Sequence, residues 1–191
     1  MGQESETAMP ELNVQTSLRR RSWLIFFGCA IVGLGIGMFF AVRVGDFRTG
    51  WQGIPIYLLL AGILGRIASS KVELRANVIV VINPLRTHSI PVAAVHDAIV
   101  GDDGTLEVQF GDEEKVAVFA FGGSLIDRLR KTSDKAAREI RAWLRANQES
   151  CDERPVTPHV HWTRCRFPDM SLIFCVVTAG VGAIAMALTS S

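Results

Sequence analysis

The residues best suited to chemistry are four metal-ligating side chains near the C-terminus: Cys151, His159, His161 and Cys165. Two thiolates and two imidazoles suffice for a tetrahedral zinc site. Their spacing, Cys-x7-His-x-His-x3-Cys, lacks the close Cys-x2-Cys pair that pre-organises such a site. A polar connector with reduced thiols is therefore expected here, with no metal and no cofactor. Cys29 and Cys175 stand inside apolar runs, where a thiol behaves as a small hydrophobe. His88 and His96 neighbour Ser89 and Asp97, but adjacent residues of a strand point to opposite faces. The chain has no Gly-x-Ser-x-Gly, P-loop or His-Glu-x-x-His pattern. The expectation is a protein that is not an enzyme, with no catalytic residues.

Basic side chains could instead hold an anion. Between residues 71 and 122, however, Lys71, Arg75, Arg86 and Lys115 face eight acidic residues. The turn Ala76-Asn77 carries no cation, and a multivalent phosphate needs several charge-assisted donors together. A phosphoinositide at that turn is not expected. Residues 123–148 reverse the balance, with seven basic and three acidic residues; Arg138, Arg141 and Arg145 read as a solvated helix face. The net charge of +1 argues against nucleic acid as a partner.

These groups must be positioned by elements of two kinds. The chain has 191 residues, 49% hydrophobic yet 20% charged, so apolar blocks are separated from polar ones. Residues 23–42 are uncharged and, as a helix, about 30 Å long, the thickness of a hydrocarbon core. Residues 51–68 form a weaker block, with Trp51 at one interface and Arg66 sending its guanidinium out to the other. Residues 171–189 are a third uncharged block. Three spanning helices are predicted, the second despite its arginine. Arg19, Arg20 and Arg21 precede the first block, and Arg66, Lys71 and Arg75 follow the second. Arg164 and Arg166 precede the third. The positive-inside rule then places an unstructured tail (1–22) and everything between helices two and three in the cytoplasm. Residues 43–50 become a short external loop and the C-terminus emerges outside. Gly33 and Gly37 form a small-x-x-x-small face suited to close helix packing, within the chain or in a homo-oligomer.

Between the second and third blocks the pattern changes to short Val- and Ile-rich runs punctuated by turns. Residues 72–75, 78–82, 86–90, 95–100, 105–110 and 115–119 read as six strands, with Leu106, Val108 and Phe110 sharing one face. A short helical turn is expected at 124–130. A longer helix is expected from Ser133 to about residue 147, its stripe formed by Ala136, Ala137, Ile140, Trp143 and Leu144. The soluble domain is thus 71–148, followed by a polar connector over 149–169. The fold class is α+β: a small antiparallel β-barrel or sandwich with a C-terminal amphipathic helix, plus about three transmembrane helices.

The stretch 78–95, VIVVINPLRTHSIPVAAV, resembles the second and third strands of bacterial pleckstrin-homology-like (PH-like) domains. The residues that carry the likeness are Asn83, Pro84, Leu85, Arg86 and Thr87, followed by Ile90 and Pro91. In that family the domain is often joined to two N-terminal transmembrane helices. The resemblance covers under half the chain and departs in two places. A third helix is added, and Val92-Ala93-Ala94 stands where an aromatic and an acidic residue are usual. What it implies is a PH-like fold at the bacterial inner membrane, serving as a non-enzymatic docking module for an unknown protein partner. The other implied role is a sensor of membrane or envelope state.

Overall fold

The computed structural model describes residues 14–45, 50–111, 114–122, 132–148 and 158–189. Among them are four helices and two antiparallel sheets, an α+β architecture. The strands are β1 (Val14–Leu18), β2 (Lys71–Arg75), β3 (Val78–Ile82), β4 (Arg86–Pro91), β5 (Val95–Val100), β6 (Leu106–Phe110), β7 (Glu114–Ala117) and β8 (His159–Trp162). The helices are α1 (Arg21–Val44), α2 (Gly53–Ala68), α3 (Thr132–Gln148) and α4 (Arg166–Thr189). One sheet has the order β1-β2-β3-β4-β8, the other β5-β6-β7.

The core lies between the sheets and under α3. Alternation along β2, β3 and β6 sends Val72, Leu74, Ile79, Val81, Leu106, Val108 and Phe110 inward. From α3 the expected stripe arrives: Ala136, Ala137, Ile140 and Leu144 are buried and Trp143 packs at the margin. The turn between β5 and β6 closes with Gly104 at φ 84°, a conformation that favours glycine, while the Asp103 carboxylate accepts the Thr105 N–H at 2.9 Å.

Two strands fall where the sequence predicts none. β1 lies in the stretch expected as an unstructured tail, and pairs with β2 across the whole of α1 and α2. β8 lies in the expected polar connector and extends the sheet beyond β4. Both are edge strands; all four residues of β8 are exposed, so it needs no apolar alternation of the kind that reveals a buried strand, and in β1 the polar Thr16 and Ser17 are exposed while Leu18 reaches the core. The helical turn expected at 124–130 lies outside the described residues, as does Cys151. Helix α4 begins at Arg166, earlier than the apolar run at 171, because its first turn packs on α2 as part of the junction described below.

The pairing puts the apolar helices on one edge of the five-stranded sheet. Leu18 pairs with Val72, Lys71 with Ile82, Ile82 with Thr87, and Arg86 with Trp162. At that edge β1 runs into α1, α2 runs into β2, and β8 runs into α4. Helices α1 and α4, about 36 Å long, are both long and apolar enough to cross a membrane. No residue of α1 is buried, and Phe26, Phe40, Val176 and Ile184 are exposed, unlike the core helix of a water-soluble domain. Helix α2, with 16 residues, is about 24 Å long.

Ile140 is fully buried beneath the sheets. Ile140→Ala should lower unfolding stability in detergent by about 2–5 kcal/mol. Arg138→Ala, on the exposed face, should change it by less than about 0.5 kcal/mol in the same denaturant titration.

Candidate functional site

The densest polar constellation sits where the helices meet the sheet. Arg66, in the last turn of α2, does not send its guanidinium outward as expected. It turns inward, and its side chain is only 11% exposed. Nη2 and Nε donate to Asp169 Oδ1 at 2.7 and 3.1 Å, and Nη1 donates to the Pro84 carbonyl at 3.2 Å. The guanidinium also lies 5.4 Å from the centre of the Trp162 ring, a cation–π distance. One side chain thus ties α2, α4, the β3–β4 turn and β8 together. An apolar helix tolerates an arginine when a carboxylate and a carbonyl replace its water. Asp169 in turn accepts the Cys165 N–H at 3.1 Å, at the start of α4.

The helices approach closely enough for this because the facing residues are small. A methyl group at Gly62 would lie 2.7 Å from Leu172 Cγ, and one at Gly65 would lie 3.0 Å from Pro168 Cγ. Ser171 Oγ donates across the same interface to the Leu58 carbonyl at 2.8 Å. Further along, the Trp51 indole packs on the backbone of Gly182, and its Nε1 is buried without a hydrogen-bond partner among the described residues. Gly33 and Gly37 do not take part: both face open space, and Gly35, between them, packs on the Tyr57 ring instead.

The motif residues form a second tie. Asn83 Oδ1 accepts the Phe119 N–H at 2.9 Å and its Nδ2 donates to the Ala117 carbonyl at 2.9 Å, joining the two sheets. The Thr163 N–H donates to the Leu85 carbonyl at 3.1 Å. The Thr163 hydroxyl donates to the Asn83 carbonyl at 2.9 Å and lies 2.8 Å from the Thr87 hydroxyl. Arg86 is exposed; Ile90 and Pro91 are buried, Ile90 in the core. The stretch therefore works as a structural hub, where the β3–β4 turn holds β7, β8 and α2. At the N-terminal arginines, Arg19 Nη2 donates to the Ala68 carbonyl at 2.9 Å, linking the start of α1 to the end of α2. The Arg20 guanidinium lies 5.4 Å from the Trp23 ring centre, and Arg21 is exposed.

Several groups behave differently from their sequence reading. Arg141, expected on a solvated face, donates from Nε to the Ala98 carbonyl at 2.9 Å and lies 3.2 Å from Asp97 Oδ1, clipping α3 to β5. Glu73 is buried on the outer face of its sheet between Lys71 and Arg75. Burial pushes its carboxyl up, but hydrogen bonds and charge from Lys71 and Arg75 outweigh that and hold it below the usual carboxylate value. His88 is shifted down by burial first, then by the charges of Arg86 and His161. His159 and His161 share one face of β8 and are exposed. Among the described residues no group of three His, Cys, Asp or Glu side chains could hold a metal ion.

No family model, curated protein or solved structure matches the chain.

Removing Asp169 strands a guanidinium that is mostly out of water. Asp169→Ala should destabilise the protein in detergent by about 3 kcal/mol, and the apolar pair Arg66→Leu with Asp169→Leu should recover most of that loss. His88 favours its neutral form in the fold, so its contribution is complete above about pH 6.5 and declines as pH falls through its lowered folded value. Thermal unfolding should accordingly be easier at pH 5.5 than at pH 7.5, and the difference should shrink in His88→Gln.

Proposed function

We propose that the chain is a multi-pass membrane protein whose two-sheet domain is a PH-like docking module on the inner face of a bacterial membrane. The observation that carries this reading is the common edge from which α1, α2 and α4 all depart. A domain joined to a bilayer at three points along one edge is held in a fixed orientation. Orientation is what a docking module needs and what a freely tethered domain lacks.

The strand count supports the PH-like assignment. β1 to β7 make seven strands in two sheets, followed by the amphipathic α3 packed on β5 and β6. Counting β1 moves the 78–95 stretch from the second and third strands to the third and fourth, places the α1–α2 hairpin between the first and second strands, and leaves β8 and α4 as additions after the helix. The same pairing supports a crossing by α2. If α1 leaves the sheet edge through a bilayer, α2 must bring the chain back, because β1 and β2 are hydrogen-bonded neighbours. Its length falls about 6 Å short of the hydrocarbon core, a mismatch that local thinning of the bilayer absorbs. Arg19, Arg20, Arg21, Arg164 and Arg166 flank the helices on this side, which favours the cytoplasm.

The partner is a protein, met by adding a strand to an open sheet edge or by contact with a loop. β8 is an accessible edge, with Val160 and Trp162 more than half exposed. A second copy of the chain is the other candidate, since Gly33 and Gly37 leave open space along α1. The sensor reading rests on Arg66, which joins α2 and α4 to the β3–β4 turn and would carry a helix displacement into the domain. A photocrosslinker placed at Val160 in native membranes distinguishes these. Docking predicts discrete adducts with a cytoplasmic protein. Adducts with lipid alone, or with an extracytoplasmic protein, would falsify it.

A further inference from the structure

The outer face of the five-stranded sheet, turned away from the core, forms a groove of about 1150 Å³. Its floor is apolar: Val78, Val80 and Ile82 project from β3 on this side, and Val80 is only 6% exposed although it lies outside the core. Its rim is basic. Lys71 and Arg75 flank the floor on β2, and Arg164 stands past the end of β8. His159 and His161 line the β8 side. Among the described residues the one carboxylate lining this face is Glu73, buried between Lys71 and Arg75. Lys71, Arg75 and Arg164 against that carboxylate leave the face positive without counting the histidines. Arg164 is exposed and has no ion pair or hydrogen bond among the described residues.

This concentration is hidden in the sequence, where the strand region as a whole is acidic. The two sheets divide the charge. Apart from Glu73, every acid between residues 71 and 122 falls at position 97 or later, within or between β5, β6 and β7 in the sequence. The groove also has a direction. It runs to the edge where α2 ends and α4 begins, with Ser69 and Cys165 among its lining.

We infer that the groove takes the headgroup of an anionic phospholipid, its phosphate beside Arg164 and the histidines and its glycerol against the β3 floor. Charge complementarity selects an anion, the apolar floor selects an amphiphile, and the open end beside the helices selects the bilayer as its source. The site is distinct from the Ala76-Asn77 turn, which has no cation. The inference rests on α1 and α4 crossing a membrane, and on neither the compartment nor the docking partner. An acidic peptide is the rival occupant. Residues 1–13 carry three glutamates and no basic side chain, and they lead into β1, whose first residue pairs with Arg75.

The test uses the full chain in phosphatidylcholine nanodiscs doped with a headgroup-photoactivatable phosphatidylglycerol, or with the matching phosphatidylcholine probe. Peptide mapping should place phosphatidylglycerol adducts on residues 158–165, at least about five-fold above the phosphatidylcholine probe. Arg164→Gln should cut them about five-fold, the effect of one cation near an anionic surface, and Arg138→Gln on α3 should leave them unchanged. Equal labelling by both probes, or indifference to Arg164→Gln, overturns the assignment. Labelling that appears only after deletion of residues 1–13 gives the groove to that acidic segment and overturns it as well. If the chain does not enter the discs at all, the membrane reading falls and the inference falls with it.

Discussion

β1 ends at Leu18 and β2 begins at Lys71, yet the two are hydrogen-bonded neighbours. Everything between them must leave the sheet and return to within one strand spacing, about 4.8 Å. That closure condition governs the rest of the molecule. It forces α1 and α2 to be an antiparallel hairpin, which Gly35 on Tyr57 packs together and the Arg19 bond to the Ala68 carbonyl closes at its base. It also fixes where α4 can start, because β8 extends the same sheet and ends at the same edge. Three helices rooted in one sheet edge leave the domain little freedom to tumble against them.

Arg66 shows how such a junction is held where water is scarce. A guanidinium near the end of an apolar helix is costly to desolvate, and the cost falls when its donors meet acceptors already in place. Here those acceptors come from two other elements, Asp169 on α4 and the Pro84 carbonyl of the β3–β4 turn. The same turn reaches β7 through Asn83 and the segment after β8 through Leu85. Helix packing and sheet packing therefore meet in one short turn. Substitutions at Asn83 and at Arg66 should not behave as independent changes, since both act through that backbone.

The elements that flank the core between residues 71 and 148 were legible in the sequence, and the outlying strands β1 and β8 were not. Alternation along residues 105–110 and the stripe on residues 133–147 both arise from burial on one face, and both give β6 and α3 as read. β8 is exposed throughout, and the places of β1 and β8 are set by partners far along the chain, so no local period announces them. Arg66 was legible as an anomaly but its resolution was not, because Asp169 lies 103 residues away. The available signal was a matching of singletons: one base near the end of the second apolar block and one acid just before the third. Within the chain, the glycine of that face that packs is Gly35, between Gly33 and Gly37.

Strand β1 is made first and must wait for its partner. A ribosome completes both helices of the hairpin before residue 71 exists, so the sheet cannot begin to form until that hairpin has left the exit tunnel. Searching for a contact more than fifty residues away would be slow for a flexible chain. Once α1 and α2 have packed, their ends stand about 10 Å apart, and the search reduces to zipping two adjacent segments. Assembly of the domain is thereby timed by the packing of its own helices.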